Sequence, residues 1–321
     1  MRISYHPDYT IPLPEGHTFP MEKYRALYRI LKAQGLLDDA DVVEPSEADW
    51  ADLALVHTPE YLTMLREGTM DRATSRKLGF PWSDAVLRRA RLAVQGTINA
   101  AMMALQDGHA ANLAGGTHHA FPDRGEGFCL LHDVAIAIRV YQRRRWIRTA
   151  LTVDLDVHQG NGTASIFAED PSVYTFSMHG AKNYPFRKER SSLDVELTDG
   201  CDDAEYLGLL AEHLPRAIAE SGADLAFYLA GVDPVVGDRL GRLALSEEGL
   251  YARERMVFES LKEAGIPVVL VLSGGYSASA ERTAALHAVA HRAARDVFGL
   301  TPTDDRLDMP GPRGAEAESL R

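Results

Sequence analysis

Residues 151–163 read LTVDLDVHQGNGT. An apolar run carries Asp154, Asp156 and His158 at every second position, then breaks at two glycines that flank Asn161. Side chains alternate along a strand, so the three polar groups are expected on one face, with Leu151, Val153, Leu155 and Val157 on the other. A buried strand rarely carries two carboxylates and an imidazole on one face unless something cationic sits there. A carboxylate and an imidazole two residues apart are ligand chemistry for zinc or a similar divalent ion. The stretch reads as part of an active site.

Outward from it, strands alternate with helices. Residues 1–5 read as a short strand, and Met21–Gln34 as a helix stopped by Gly35. Pro59–Arg66 is a second helix, and Ser83 caps a long one ending at Asp107–Gly108. A short apolar strand then gives way at Gly115–Gly116. Asp133–Arg145 is expected as helix, Ile147–Val157 as the central strand and Val173–Met178 as another, with no element legible in the loop 180–192. Asp203–Glu220 is helical, with a kink or break expected at Pro215. Leu225–Ala230 and Pro267–Leu272 are buried strands, Ser246 caps a helix over 247–263, and a last helix runs from about Ala280 to Val297. Several strands are apolar throughout, which implies an α/β fold with a mostly parallel sheet covered by helices on both faces. No linker interrupts residues 1–300, so we read one domain. The segment 301–321, rich in Pro, Gly and charge, is expected to be a disordered tail.

Composition narrows the function classes. A net charge of −12 over 321 residues lacks the basic stripe of a nucleic-acid footprint. The basic run Arg143–Arg144–Arg145 closes a helix, where cations favour the negative end. Two distant cysteines, Cys129 and Cys201, fit a reducing cytosol. With no leader and no apolar run of about 20 residues, a cytoplasmic protein without a membrane span is expected.

In parallel sheets ligands bind beyond the carboxyl ends of strands, and the remaining polar groups fall there. Asp233, just past the strand 225–230, is either a third ligand or a loop Asp bonding local backbone before Pro234. His118–His119 sits on a glycine-hinged loop. An Asp partner such as Asp154 would hold one imidazole charged, and an Asn partner such as Asn161 would leave the other free to act as base. Tyr276, after Gly274–Gly275, is either a rim tyrosine or a phenol presented to a substrate.

Four motifs in order carry a resemblance: GGTHHAFPDRGEGFC (115–129), DLDVHQGNGT (154–163), AGVDPVVGDRLG (230–241) and SGGY (273–276). Over roughly residues 1–300 the chain resembles the histone deacetylase superfamily, and within it the class IV branch. The resemblance implies the arginase–deacetylase fold and zinc-dependent hydrolysis of an amide on a lysine side chain, with one Zn²⁺ per chain. It implies Asp156, His158 and Asp233 as zinc ligands, His119 as general base, His118 as its electrostatic or acid partner, and Tyr276 as the group polarising the carbonyl. Asp154 and Asn161 then orient His118 and His119, and Gly127 and Phe128 line the acyl-lysine tunnel. Structural K⁺ or Na⁺ ions are also implied, an inner one near Asp154, Asp156, His158, Ser177 and Met178 and an outer one near Phe167, Asp170 and Val173.

His132 and Gln159 depart from many relatives, beside the ligands rather than on them. Arginase-like chemistry needs two further aspartates, where this chain has Gly160 and Val235. Three readings stay open: a deacylase of lysine on proteins or peptides, acting on acetyl or longer fatty-acyl groups; a deacetylase of small acylated amines such as acetylpolyamines; and a silent acyl-lysine binding module. The class IV likeness points to long acyl groups. The entrance loops 6–24 and 180–192, which would settle substrate choice, match no family pattern.

Overall fold

A computed structural model describes residues 1–299; the segment expected to be a disordered tail lies outside the described residues. The first third of the chain forms β1 (Ile3–Ser4), α1 (Lys23–Ala33), β2 (Val42–Val43), α2 (Trp50–Leu53), α3 (Pro59–Glu67), α4 (Arg72–Leu78) and α5 (Asp84–Asp107). Then come β3 (His109–Asn112), α6 (Asp133–Arg143), β4 (Ala150–Asp154), α7 (Asn161–Phe167), β5 (Val173–Gly180) and β6 (Leu193–Leu197). The last third forms α8 (Asp203–Ser221), β7 (Leu225–Leu229), α9 (Glu247–Glu263), β8 (Val268–Val271) and α10 (Ala280–Phe298). Helix starts follow the hydrogen-bonding rules: Ser83, Ser246 and Thr58 each accept a bond from the backbone amide three residues on.

The strands make one parallel sheet in the order β2-β1-β3-β8-β7-β4-β5-β6. β3, β4, β7 and β8 are buried at every residue, as they must be when helices cover both faces. Val153 in β4 lies opposite Phe176 of β5 and Tyr228 of β7, and Asp154 opposite Ser177 and Leu229. Among the described residues, no helix is long and apolar enough to cross a membrane.

Three details differ from the sequence expectations. β4 stops at Asp154 rather than at Val157, so simple alternation does not place Asp156 and His158. The chain turns instead, with the Asp156 amide donating to Asp154 Oδ1 and the His158 amide to Asp156 Oδ1. α8 runs unbroken through Pro215. Ala211, four residues earlier and the residue whose carbonyl loses its amide partner, is exposed to solvent, which lessens the cost. β2, α2, α4, α7 and β6 escaped the sequence reading; the first two, at two and four residues, are too short to show a period.

Four strands that are neighbours in the sheet, β3, β8, β7 and β4, aim their carboxyl ends at one place, and each is followed by one of the four motifs. Burial of β7 anchors this layer. Phe227→Ala, at a fully buried position, is expected to lower unfolding free energy by about 3–5 kcal/mol; a urea titration showing a loss under about 1 kcal/mol would contradict it.

Candidate active site

Beyond β3 the loop 115–119 is fixed from below by Asp133, which is fully buried. Its carboxylate accepts the amides of Gly116 and Thr117 at 3.1 and 2.8 Å and the hydroxyls of Thr97 and Thr117. The loop therefore presents His118 and His119 in set positions, with ring centroids 4.1 Å apart. Nδ1 of His118 lies 2.7 Å from Asp154 Oδ2, and Nδ1 of His119 lies 2.6 Å from Asn161 Oδ1. The pairs differ in charge, and the imidazoles follow. Burial pulls His118 down, but the carboxylates of Asp154 and Asp156 outweigh it and lift the ring to about 9. Burial pushes His119 well below the ordinary range, helped by repulsion from His118 and His158. One histidine is held charged and its neighbour neutral.

Beyond β4 and β7 lie Asp156, His158 and Asp233, with exposures of 0, 7 and 0%. One potential ligand atom from each lies within 4.8 Å of the others. Asp156 Oδ2 accepts the Gly274 amide at 2.6 Å and the Ser273 hydroxyl at 2.8 Å, while its Oδ1 accepts His158 Nδ1 at 2.9 Å. Asp233 Oδ1 accepts the Val157 amide at 2.9 Å. Asp233 Oδ2 has no hydrogen-bond partner; His158 Nδ1 is 3.2 Å away but bonded to Asp156. A buried carboxylate oxygen left bare costs about 1–3 kcal/mol or more. Burial, then repulsion from Asp156, pushes the Asp233 carboxyl up to about 7. Two carboxylates and one imidazole, with a bare oxygen facing the others, fit a divalent cation, whose charge would reverse that shift.

Beyond β8 the SGGY segment completes the site. Gly274 has to be glycine: a Cβ there would lie 2.1 Å from Asp233 Oδ2 and 2.5 Å from Asp156 Oδ2. Gly160 is similarly constrained, since its Cβ would sit 2.4 Å from Asp154 Oδ2, so the position that lacks a second-metal ligand also makes room for the His118 pair. The Tyr276 amide donates to Asp238 Oδ2 at 2.6 Å, and the Tyr276 carbonyl accepts Arg239 Nε at 3.0 Å. The GDRLG motif is thus the clamp that holds the tyrosine. Burial, followed by the negative charge of Asp156 and Asp233, pushes the phenol well above its usual value, so it stays protonated and able to donate.

These residues surround a cavity of about 400 Å³ whose wall includes His119, Gly127, Phe128, His158, Tyr184 and Tyr276. Phe128 adopts φ +67°, a left-handed conformation uncommon for a bulky side chain; its amide and that of Gly127 bond to the carbonyls of Leu78 and Lys77 at the end of α4. Behind lies a much smaller space, about 40 Å³, bordered by Tyr24, Arg89, Gly116, His118 and Cys129.

Sequence reading missed several contributors. Tyr184, whose ring centroid is 5.0 Å from that of His119, sits in the loop that showed no pattern. Gln159 pins this loop by bonding the backbone of Glu189 in both directions. His132 caps α6, accepting the Ala135 amide. Lys23 is fully buried and donates to the Ser273 carbonyl at 2.9 Å, with its Nζ 5.9 Å from the Tyr276 ring centre. Burial lowers this amine to about 8 despite attraction from Asp233 and Asp156. Of the residues tied to monovalent ions, Ser177 pairs with Asp154 across β5 and β4 and precedes the buried Met178. Phe167, Asp170 and Val173 form one turn at the opposite, amino end of β5, where the Phe167 and Asp170 carbonyls accept the amides of Asp170 and Val173.

Arg253 of α9, fully buried, donates to the carbonyls of Leu155 and Gly231 at 3.1 and 2.9 Å, tying together the chain just before Asp156 and Asp233. It is neutralised by Glu254 beside it. Arg253→Met leaves the buried Glu254 with the Tyr228 hydroxyl but no counter-charge and two carbonyls unpaired, and should cost about 3–5 kcal/mol in chemical unfolding; a cost under about 1 kcal/mol would show the clamp to be dispensable.

Comparison with known proteins agrees with this layout. The family profile described as "Histone deacetylase domain" matches residues 17–292. An uncharacterized protein of Picosynechococcus sp. is 50% identical over 92% of this chain and 99% of its own length. Histone deacetylase 2 of Arabidopsis thaliana is 36% identical over 84% of this chain and 72% of its own. A probable deacetylase of Methanothermobacter thermautotrophicus is 32% identical over 87% of each. The crystal structure of the HDA15 HD domain superposes with a TM-score of 0.74 over 93% of this chain and 90% of that one, at 23% identity, which speaks for the fold. With the motifs gathered at one edge of the sheet, a profile match over most of its length and relatives named as deacetylases, the chain belongs to the histone deacetylase family of amide hydrolases.

Proposed function

We propose that this protein is a zinc-dependent deacylase that removes acyl groups, acetyl foremost, from lysine side chains of proteins. The observation that carries the reading is the buried Asp233 oxygen without a hydrogen bond, grouped with Asp156 and His158, where His158 lines a cavity together with the neutral His119 and the protonated Tyr276 and the charged His118 borders the smaller space behind.

Asp156, His158 and Asp233 would hold the zinc, which supplies Lewis acidity toward a carbonyl oxygen. His119 donates its Nδ1 proton to Asn161, which leaves the Nε2 lone pair facing the cavity to take a proton from an attacking water. His118, fixed by Asp154, keeps a positive charge beside it, stabilising the negative charge that builds on the substrate. The Tyr276 phenol donates a hydrogen bond to the same developing oxyanion. The proton gathered by the histidine pair then passes to the departing lysine amine, which leaves as the neutral amine rather than as an amide anion. Gly127, Phe128 and Tyr184 flank the lysine stem and keep water from it.

Acyl length follows from the room past the carbonyl. The inner space, about 40 Å³ against about 400 Å³ for the outer cavity, is the narrower of the two. A space this narrow favours a short acyl group over a myristoyl chain. In a panel of acetyl-, octanoyl- and myristoyl-lysine peptides, acetyl is expected to give the highest kcat/KM; a myristoyl preference would refute the short-acyl reading.

Two variants test the site. Tyr276→Phe should lower kcat by about 10²–10³, as removal of an oxyanion donor does, with full turnover contradicting the role. Asp233→Ala should lose zinc on dialysis where the parent keeps one per chain; a variant retaining stoichiometric zinc would overturn the ligand assignment.

A further inference from the structure

The mouth of the pocket carries a charge pattern that the catalytic residues do not require. Its lining includes Lys77, Lys182, Arg239 and Arg242, and no Asp or Glu. This lies on a chain whose net charge is −12, so the cations are concentrated against the overall balance. Their compensation is thin. Lys182 and Arg242 share one carboxylate, Asp199, at 3.6 and 3.3 Å. Among the described residues, the Arg239 guanidinium bonds to the neutral carbonyls of Tyr276 and Thr18. Lys77 is exposed and forms no salt bridge among the described residues. The carboxylates closest in sequence to the mouth are engaged elsewhere: Asp238 with the amides of Tyr276, Leu240 and Gly241, and Glu126 with Tyr184 and Arg124. Two apolar side chains stand at the same opening, Phe186 at 89% and Leu240 at 44% exposure.

We propose that this rim selects acyl-lysine in acidic sequence context: a protein segment whose residues flanking the modified lysine are Asp or Glu, laid across Phe186 and Leu240. The inference rests on the deacylase reading above and names its substrate class. An anionic segment gains attraction from four rim cations that outnumber the carboxylates beside them, Asp199 near Lys182 and Arg242 and Asp71 near Lys77. The apolar pair gives such a segment something to cover, which a small polar amine would leave exposed. An acetylated polyamine meets the opposite situation, because its remaining ammonium groups approach like charges on all sides.

The test uses zinc-loaded full-length protein and three acetyl-lysine peptides of equal length with Glu, Ser or Lys flanks, alongside an acetylpolyamine. The Glu peptide is expected to exceed the Lys peptide by about three- to tenfold in kcat/KM at low salt, the gap closing as ionic strength approaches about 1 M, where the Debye length is about 3 Å. Within a Lys77→Glu/Lys182→Glu variant, the ratio between the two peptides should fall to unity or invert, a readout independent of any general loss of activity. Equal rates on the Glu and Lys peptides, a basic preference, or the acetylpolyamine as best substrate would each overturn the proposal. Failure to cleave any of them, the Ser peptide included, would instead overturn the deacylase reading on which it stands.

Discussion

Three carboxylates, Asp154, Asp156 and Asp233, are buried within reach of one another at 0–2% exposure. Carboxylates taken out of water at such density demand positive charge, and the protein answers at the site itself. His118 takes Asp154 as its partner, and His158 bridges toward the other two. What lacks a hydrogen bond is Asp233 Oδ2, since the His158 Nδ1 that lies 3.2 Å from it bonds Asp156 instead. A deficit at that atom, facing an imidazole nitrogen and a second carboxylate, is one that a bound cation would satisfy.

The fold concentrates the charges through adjacency in the sheet rather than in the chain. β3, β8, β7 and β4 are consecutive in space although far apart in sequence, so one edge receives four loops. Each loop supports another. Ser273 and Gly274 bond Asp156, the Asp233 carboxylate bonds the Val157 amide, and Asp238 with Arg239 holds the backbone of Tyr276. Arg253 ties the bases of two of them from the core. Such mutual bracing keeps polar groups placed before a substrate arrives, which is what electrostatic stabilisation of a transition state requires.

Much of this was legible in residues 151–163 and their counterparts. Apolar runs alternating with capped amphipathic stretches imply a parallel sheet, and polar residues clustered at the ends of those runs imply where a ligand sits. Asp154, Asp156 and His158 do converge, though through a turn rather than by strand alternation. Contributions that act through the backbone left no trace in local pattern. Arg253 lies in an ordinary amphipathic helix, and Lys23 looks like any helix cation until the fold closes over it. Tyr184 and the basic mouth come from loops, whose shape is set by distant contacts such as Gln159 to Glu189 and not by periodicity.

The claim at the centre is that the buried Asp156, His158 and Asp233 form a single zinc-binding cradle. X-ray absorption at the zinc edge on the purified protein tests it most directly. The account predicts one zinc per chain with a shell of oxygen and nitrogen donors, a single imidazole among them and no sulfur. A sulfur-containing shell, two or more imidazoles, or a protein that takes up no zinc would contradict it.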